Sequence, residues 1–159
     1  MTIEEKLLSM GITLPTPPIP LAAYVPSVNQ DGLLYISGQG PTENGVLNAC
    51  GKVGKDVTLE DGVHAARLCA INLLAQMKAA LGSLDLVERI VNLKGYVACS
   101  DDFYMQPQVI NGASELMTAI FGDAGKHSRS AVGVAALPLN FICEVEAIVK
   151  IKQGVSNII

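Results

Sequence analysis

Three charged side chains in the last third of the sequence stand where a charge needs a physical reason. Arg129 opens the run RSAVGVAAL, so its guanidinium falls beside small and apolar neighbours. A partly buried Arg requires an anionic partner, and its planar fork suits a carboxylate held by two parallel hydrogen bonds. That partner is either a protein acid, such as Glu144 on a neighbouring strand, or the anionic head of a ligand. Glu144 and Glu146 lie two residues apart between Ile142 and Ile148, so an extended chain projects both from one face. A carboxylate on such a half-apolar face can act as a general base or hold a water. A solvated face or an ion pair between subunits is the alternative, and it fits Glu146 better.

The other candidates read as structural. His64 falls inside a helical segment, and His127, in GKHSR, reads as a surface-loop residue, with the mouth of a pocket as the alternative. Cys50, Cys69, Cys99 and Cys143 are scattered without a CxxC pair. That predicts small buried hydrophobes in a reducing, cytoplasmic setting, and two His offer little material for a zinc site. Gly38-Gln39-Gly40 lacks the third glycine and following helix of a dinucleotide fingerprint. Neither a GxxxxGK phosphate loop, an HExxH zinc motif nor a GxSxG nucleophile motif occurs.

The elements that must position these residues are readable from periodicity. The first nine residues suggest a short helix or frayed arm, and TLPTPPIP, with four prolines, must be extended. LAAYVPSVN and LLYIS read as two strands joined at an Asp31-Gly32 hairpin turn, and a further short strand is possible near Gly51–Val53. Thr58 with Asp61 resembles a capping box, and Val63, Ala66, Ala70, Leu73, Met77 and Leu81 recur at helical spacing up to Gly82. Arg89–Cys99 alternates as a strand. A second helix follows from near Pro107 to Gly122, with Val109, Ile110, Ala113, Leu116 and Ile120 as its apolar stripe. Ser130–Leu137 and Phe141–Ile151 close the chain as strands. The order β-β-(β)-α-β-α-β-β predicts an α+β domain spanning 1–159, with residues 1–20 as an extended Pro-rich arm and two helices packed on one face of a mixed sheet.

Half of the residues are hydrophobic and 16% are charged, against about 25% in an ordinary soluble domain. So few charges predict that another subunit covers the sheet face left bare by the helices. A membrane span is not the explanation, because Arg67, Asn72, Gln76 and Lys78 interrupt the longest apolar stretch. The N-terminus, with Glu4 and Glu5, does not read as a signal peptide. The net charge of −4 and dispersed Lys and Arg disfavour a nucleic-acid surface.

RSAVGVAALPLNFICEVEAIVKI resembles the C-terminal signature of the Rid/YjgF family, and YISGQGP is similar to its Ser-Gly-Gln-x-Pro motif. SDDF before the second helix resembles the family's Asp-Phe turn, and the likeness runs from about Pro20 to Lys152. The resemblance implies a homotrimer of chorismate-mutase-like subunits with pockets at the subunit interfaces. It further implies deamination of 2-imino acids to 2-keto acids and ammonia, with neither metal nor organic cofactor. By the same resemblance Arg129 clamps the substrate carboxylate and Glu144 holds or activates water. Tyr24, Ser37 and Gly38 line the pocket, with the N–H of Ala131 standing where the family usually has Cys. A regulatory trimer that only binds keto acids, and the ribonuclease or translation inhibitor of the family's older labels, are the competing functions. The turn GDAGKHSR, a longer segment Asp102–Asn111 and the N-terminal extension distinguish this chain from the short family members.

Overall fold

The computed structural model describes residues 1–20 and 22–154. Its frame is a five-stranded sheet built from β1 (Ser27–Gln30), β2 (Leu33–Gln39), β3 (Val87–Ala98), β4 (Ser128–Val134) and β5 (Cys143–Ile151). The spatial order is β1-β2-β5-β3-β4; every neighbouring pair is antiparallel except β3 with β4. Parallel neighbours need a crossover, and helix α3 (Gln106–Phe121) supplies it. The long helix α2 (Leu59–Leu81) lies beside α3 on the same face, as periodicity predicted.

Local chemistry accounts for these boundaries. Asp31 and Gly32 both take positive φ (54° and 78°), the two-residue turn whose twist matches a hairpin. The Thr58 hydroxyl accepts from the Asp61 N–H while the Asp61 carboxylate accepts from the Thr58 N–H, closing the capping box at the start of α2. Alternation along β5 is strict: Cys143, Val145, Ala147, Val149 and Ile151 are buried, and the residues between them half-buried. Gly112 lets α3 approach α2 closely, since a β-carbon there would collide with the Val63 carbonyl. Cys69, Cys99 and Cys143 are buried free thiols, as expected, whereas Cys50, in the loop before α2, is exposed and not the buried residue expected. Burial, with Cys143 alongside, pushes the Cys69 thiol well up, which leaves it an unreactive hydrophobe.

Three expectations need correction. Residues 1–20 are not an extended arm throughout: Ile3–Ser9 form a helix, α1, the short helix that the first nine residues suggested, and it is docked and not frayed. Thr2 and Glu5 cap it, Ile3 donates to Asp85 and Lys6 Nζ donates to the Ile120 carbonyl at the end of α3. Leu7 and Ile12 thereby join the main core, and only the stretch after α1 runs extended, pinned by Gln76 donating to the Pro18 carbonyl. Three helices, not two, therefore accompany the sheet. The first strand is shorter than LAAYVPSVN: Pro26 has no N–H to give a ladder, so pairing begins at Ser27. Leu21, where that strand was expected to begin, and residues 155–159 lie outside the described residues. The extra strand near Gly51–Val53 amounts to isolated bridges from Val53 to Val57 and Cys99.

The face away from the helices is bare. Across it run Val28, Tyr35 and Ile148, then Glu146 with Lys94, then Glu144, Tyr96 and Val132. Val28, Tyr35 and Val132 are about half exposed, an apolar surface of the kind that another protein covers.

Candidate active site

The bare face of the sheet carries the first half of the site. Between Ile36 and Gln39 the β2–β5 register shifts, so Ser37 and Gly38 together oppose one residue, a β-bulge. The bulge lets Ile36 and Gln39, three apart, both point into the core, and it leaves Gly38 beneath the Glu144 carboxylate. A β-carbon at Gly38 would occupy the position of Glu144 Oε1, so glycine is what gives that acid its place. Ser37 ties the preceding segment down, its hydroxyl donating to the Val25 carbonyl (2.8 Å) and its N–H to the Pro26 carbonyl (2.9 Å). Tyr24, next to Val25, is held near this edge with its ring exposed.

Glu144 and Glu146 have different surroundings despite sharing a strand face. Glu146 forms an ion pair with Lys94 at 3.1 Å, a structural role as expected, though the pair lies within the chain and not between subunits. The Glu144 carboxylate has no hydrogen bond or ion pair among the described residues. Burial, reinforced by the charge of Glu146, pushes its carboxyl above the usual carboxylate range. An acid so placed can exchange a proton with a bound molecule nearer to neutral pH than an ordinary Glu.

The second half lies on β4. Arg129 pairs with the buried Leu93 of β3, so its side chain points to the helix face. Nη1 donates to Asn111 Oδ1 (2.8 Å) and to Ser114 Oγ (3.1 Å), and Nη2 to the Pro107 carbonyl (3.4 Å). All three acceptors are neutral, and no carboxylate pairs with Arg129 among the described residues. The protein-acid alternative, a bond to Glu144, is therefore not realised. Ala131 follows on the same face, partly buried against the core. Glu144 projects from the opposite face of the sheet, so one chain does not bring the two proposed catalytic residues together.

The profile of the family described as "YjgF/chorismate mutase-like, putative endoribonuclease" matches residues 4–151. This chain belongs to that Rid/YjgF family. It is 41% identical over 154 residues to "Protein TCP17" of Trypanosoma cruzi, with 95% of each chain covered. Its fold superposes on Atu1372 of Agrobacterium tumefaciens, a protein of unknown function, with a TM-score of 0.89 at 46% identity, covering 94% of this chain and 92% of that one. A Shewanella oneidensis protein described as "a putative endoribonuclease" gives a TM-score of 0.92 at 34% identity, covering 95% of this chain and 100% of that one. The family's α+β fold is thus the fold of this chain.

Two features around the Rid/YjgF signature escaped the sequence reading. His127 does lie in the loop before β4, but it is half-buried, with Nδ1 2.6 Å from the Gly125 carbonyl and Nε2 2.9 Å from Ser114 Oγ. Asn111 and Ser114, which hold Arg129, also went unnoticed. Their signal was present, since Pro107, Asn111 and Ser114 follow one another at helical spacing along one edge of α3.

Proposed function

We propose that this protein is a homotrimer that hydrolyses 2-imino acids, such as 2-iminopropanoate and 2-iminobutanoate, to 2-keto acids and ammonia. The pocket lies between subunits: one contributes Arg129 and Ala131 from β4, and its neighbour contributes Tyr24, Ser37, Gly38 and Glu144. The observation that carries this reading is Arg129, a cation held by neutral acceptors and free of any described carboxylate. An acid ligand is the natural partner of such a group. The opposed placement of Arg129 and Glu144 supports a composite site, as does the half-apolar bare face.

The chemistry is redox-neutral and consumes one water. Arg129 holds the carboxylate and the Ala131 N–H assists, which fixes C2 in place. Glu144 takes a proton as the water oxygen bonds to C2, and the imine π-electrons move to nitrogen. Glu144 returns that proton to the nitrogen, giving the neutral carbinolamine, then carries the hydroxyl proton to the nitrogen as well; the C–N bond breaks, ammonia leaves and the oxygen electrons close the new C=O bond. An elevated carboxyl pKa suits these proton transfers. The endoribonuclease label carried by relatives finds no support in the charge distribution, since the net charge is −4 and cations are dispersed.

The test is the lifetime of freshly generated 2-imino acid, followed by semicarbazide trapping. Wild-type protein is expected to shorten it, and Arg129→Ala to lose on the order of a hundredfold or more in kcat/KM while the oligomer mass stays the same. Equal lifetimes with wild type and Arg129→Ala overturn the catalytic reading. Saturable keto-acid binding without acceleration would leave a regulatory binding trimer.

A further inference from the structure

Arg129 is one end of a chain of hydrogen bonds that the proposed reaction does not use. The Gly125 carbonyl can only accept, so the His127 Nδ1 facing it at 2.6 Å must carry a hydrogen. In the neutral ring Nε2 is then an acceptor, and Ser114 Oγ, 2.9 Å away, donates to it. With its single hydrogen committed, the Ser114 oxygen turns a lone pair toward Arg129 Nη1 at 3.1 Å. Asn111 Oδ1 accepts the other Nη1 hydrogen at 2.8 Å. Burial, and the positive charge of Arg129, hold the His127 imidazole below its usual range against the opposing pull of the Gly125 bond. The neutral ring that the chain requires is thus the one present near pH 7.

We propose that His127, Ser114 and Asn111 are positioning residues that hold the Arg129 guanidinium in one orientation for a 2-keto or 2-imino acid carboxylate. Arg carries five N–H donors. Asn111 and Ser114 consume both on Nη1, and the Pro107 carbonyl takes one on Nη2. The Nε hydrogen and one Nη2 hydrogen remain without a described partner, a number matched to the two oxygens of one carboxylate. Without the relay the long side chain must be ordered by the ligand itself, which costs affinity without touching the reacting carbon.

This inference rests on the reading of Arg129 as a ligand clamp, and the experiment separates the two. Affinity for 2-oxobutanoate is measured by calorimetry on wild type, Arg129→Ala, Ser114→Ala, His127→Phe and His127→Gln, with KM and kcat for the imino acid alongside. Ser114→Ala and His127→Phe are expected to weaken binding and raise KM roughly tenfold with kcat within about twofold, the pattern of a lost ground-state contact. His127→Gln is expected to recover most of that loss, because its amide both donates and accepts as the neutral ring does. Should Arg129→Ala abolish binding while Ser114→Ala binds like wild type, the clamp survives and the relay is refuted. A His127→Gln as impaired as His127→Phe also refutes it, reducing His127 to a packing role. Should Arg129→Ala bind like wild type, both readings fall. Ser114→Ala removes one oxygen from a helix surface, so it decides the matter even if His127→Phe does not fold.

Discussion

The two faces of the sheet solve opposite problems with the same few charges. On the helix face Arg129 is surrounded by acceptors from α3 that fix its direction and leave its charge uncancelled. On the bare face one acid, Glu146, is cancelled by Lys94, and the next, Glu144, is left without a partner over a glycine. Lys94 thus makes Glu146 a structural charge, while Arg129 and Glu144, the two charges that the proposed reaction uses, have no charged partner among the described residues. On the proposed reading a lone subunit is incomplete, because Arg129 and Glu144 face away from each other across the sheet.

The most damaging test of this contrast is Glu144→Gln, expected to lower kcat by about 10² to 10⁴. In the wild type, activity should rise with pH as Glu144 ionises, through a value above its ordinary 4.5. The substitution should abolish that limb of the pH profile. The same displacement makes ionised Glu144 a small cost to folding. That cost is absent at low pH and appears as pH climbs from the ordinary Glu value to the raised one. Next in size is Ile110→Ala on the helix face, where the fully buried side chain rests on Gly95. It should cost about 2–5 kcal/mol in urea unfolding at fixed protein concentration.

Val132→Asp places a charge on the bare face beside Tyr96. Sedimentation should show the oligomer dissociating toward monomer while far-ultraviolet dichroism is nearly unchanged; an intact oligomer would mean that this face is not the covered one. The smallest effect belongs to Lys94→Met, which breaks the exposed ion pair with Glu146 and should shift stability by less than about 1 kcal/mol.

Local rules made most of the fold legible. The Asp31-Gly32 turn, the Thr58–Asp61 box and the period of two in β5 all act within a few residues, and each appears where periodicity put it. What moved had other causes: the helix suggested for the first nine residues is docked because Asp85 and Ile120 receive it, and β1 is shorter because Pro26 has no N–H for the ladder. Arg129 and Glu144 were legible as chemical types and through their motif. Their opposed faces follow from strand register, and although helical spacing puts Asn111 and Ser114 on one edge of α3, their hold on Arg129 spans 18 and 15 residues and so depends on the tertiary fold.

The bulge at Ser37–Gly38 gives position 38 a disproportionate influence. An added methyl there meets the tip of a flexible side chain and not a rigid backbone, so Gly38→Ala would swing the Glu144 carboxylate aside and leave the strand pairing in place. Side-chain bulk at that position is in effect a dial for aiming the Glu144 carboxylate, adjustable without altering the molecule's electrical charge.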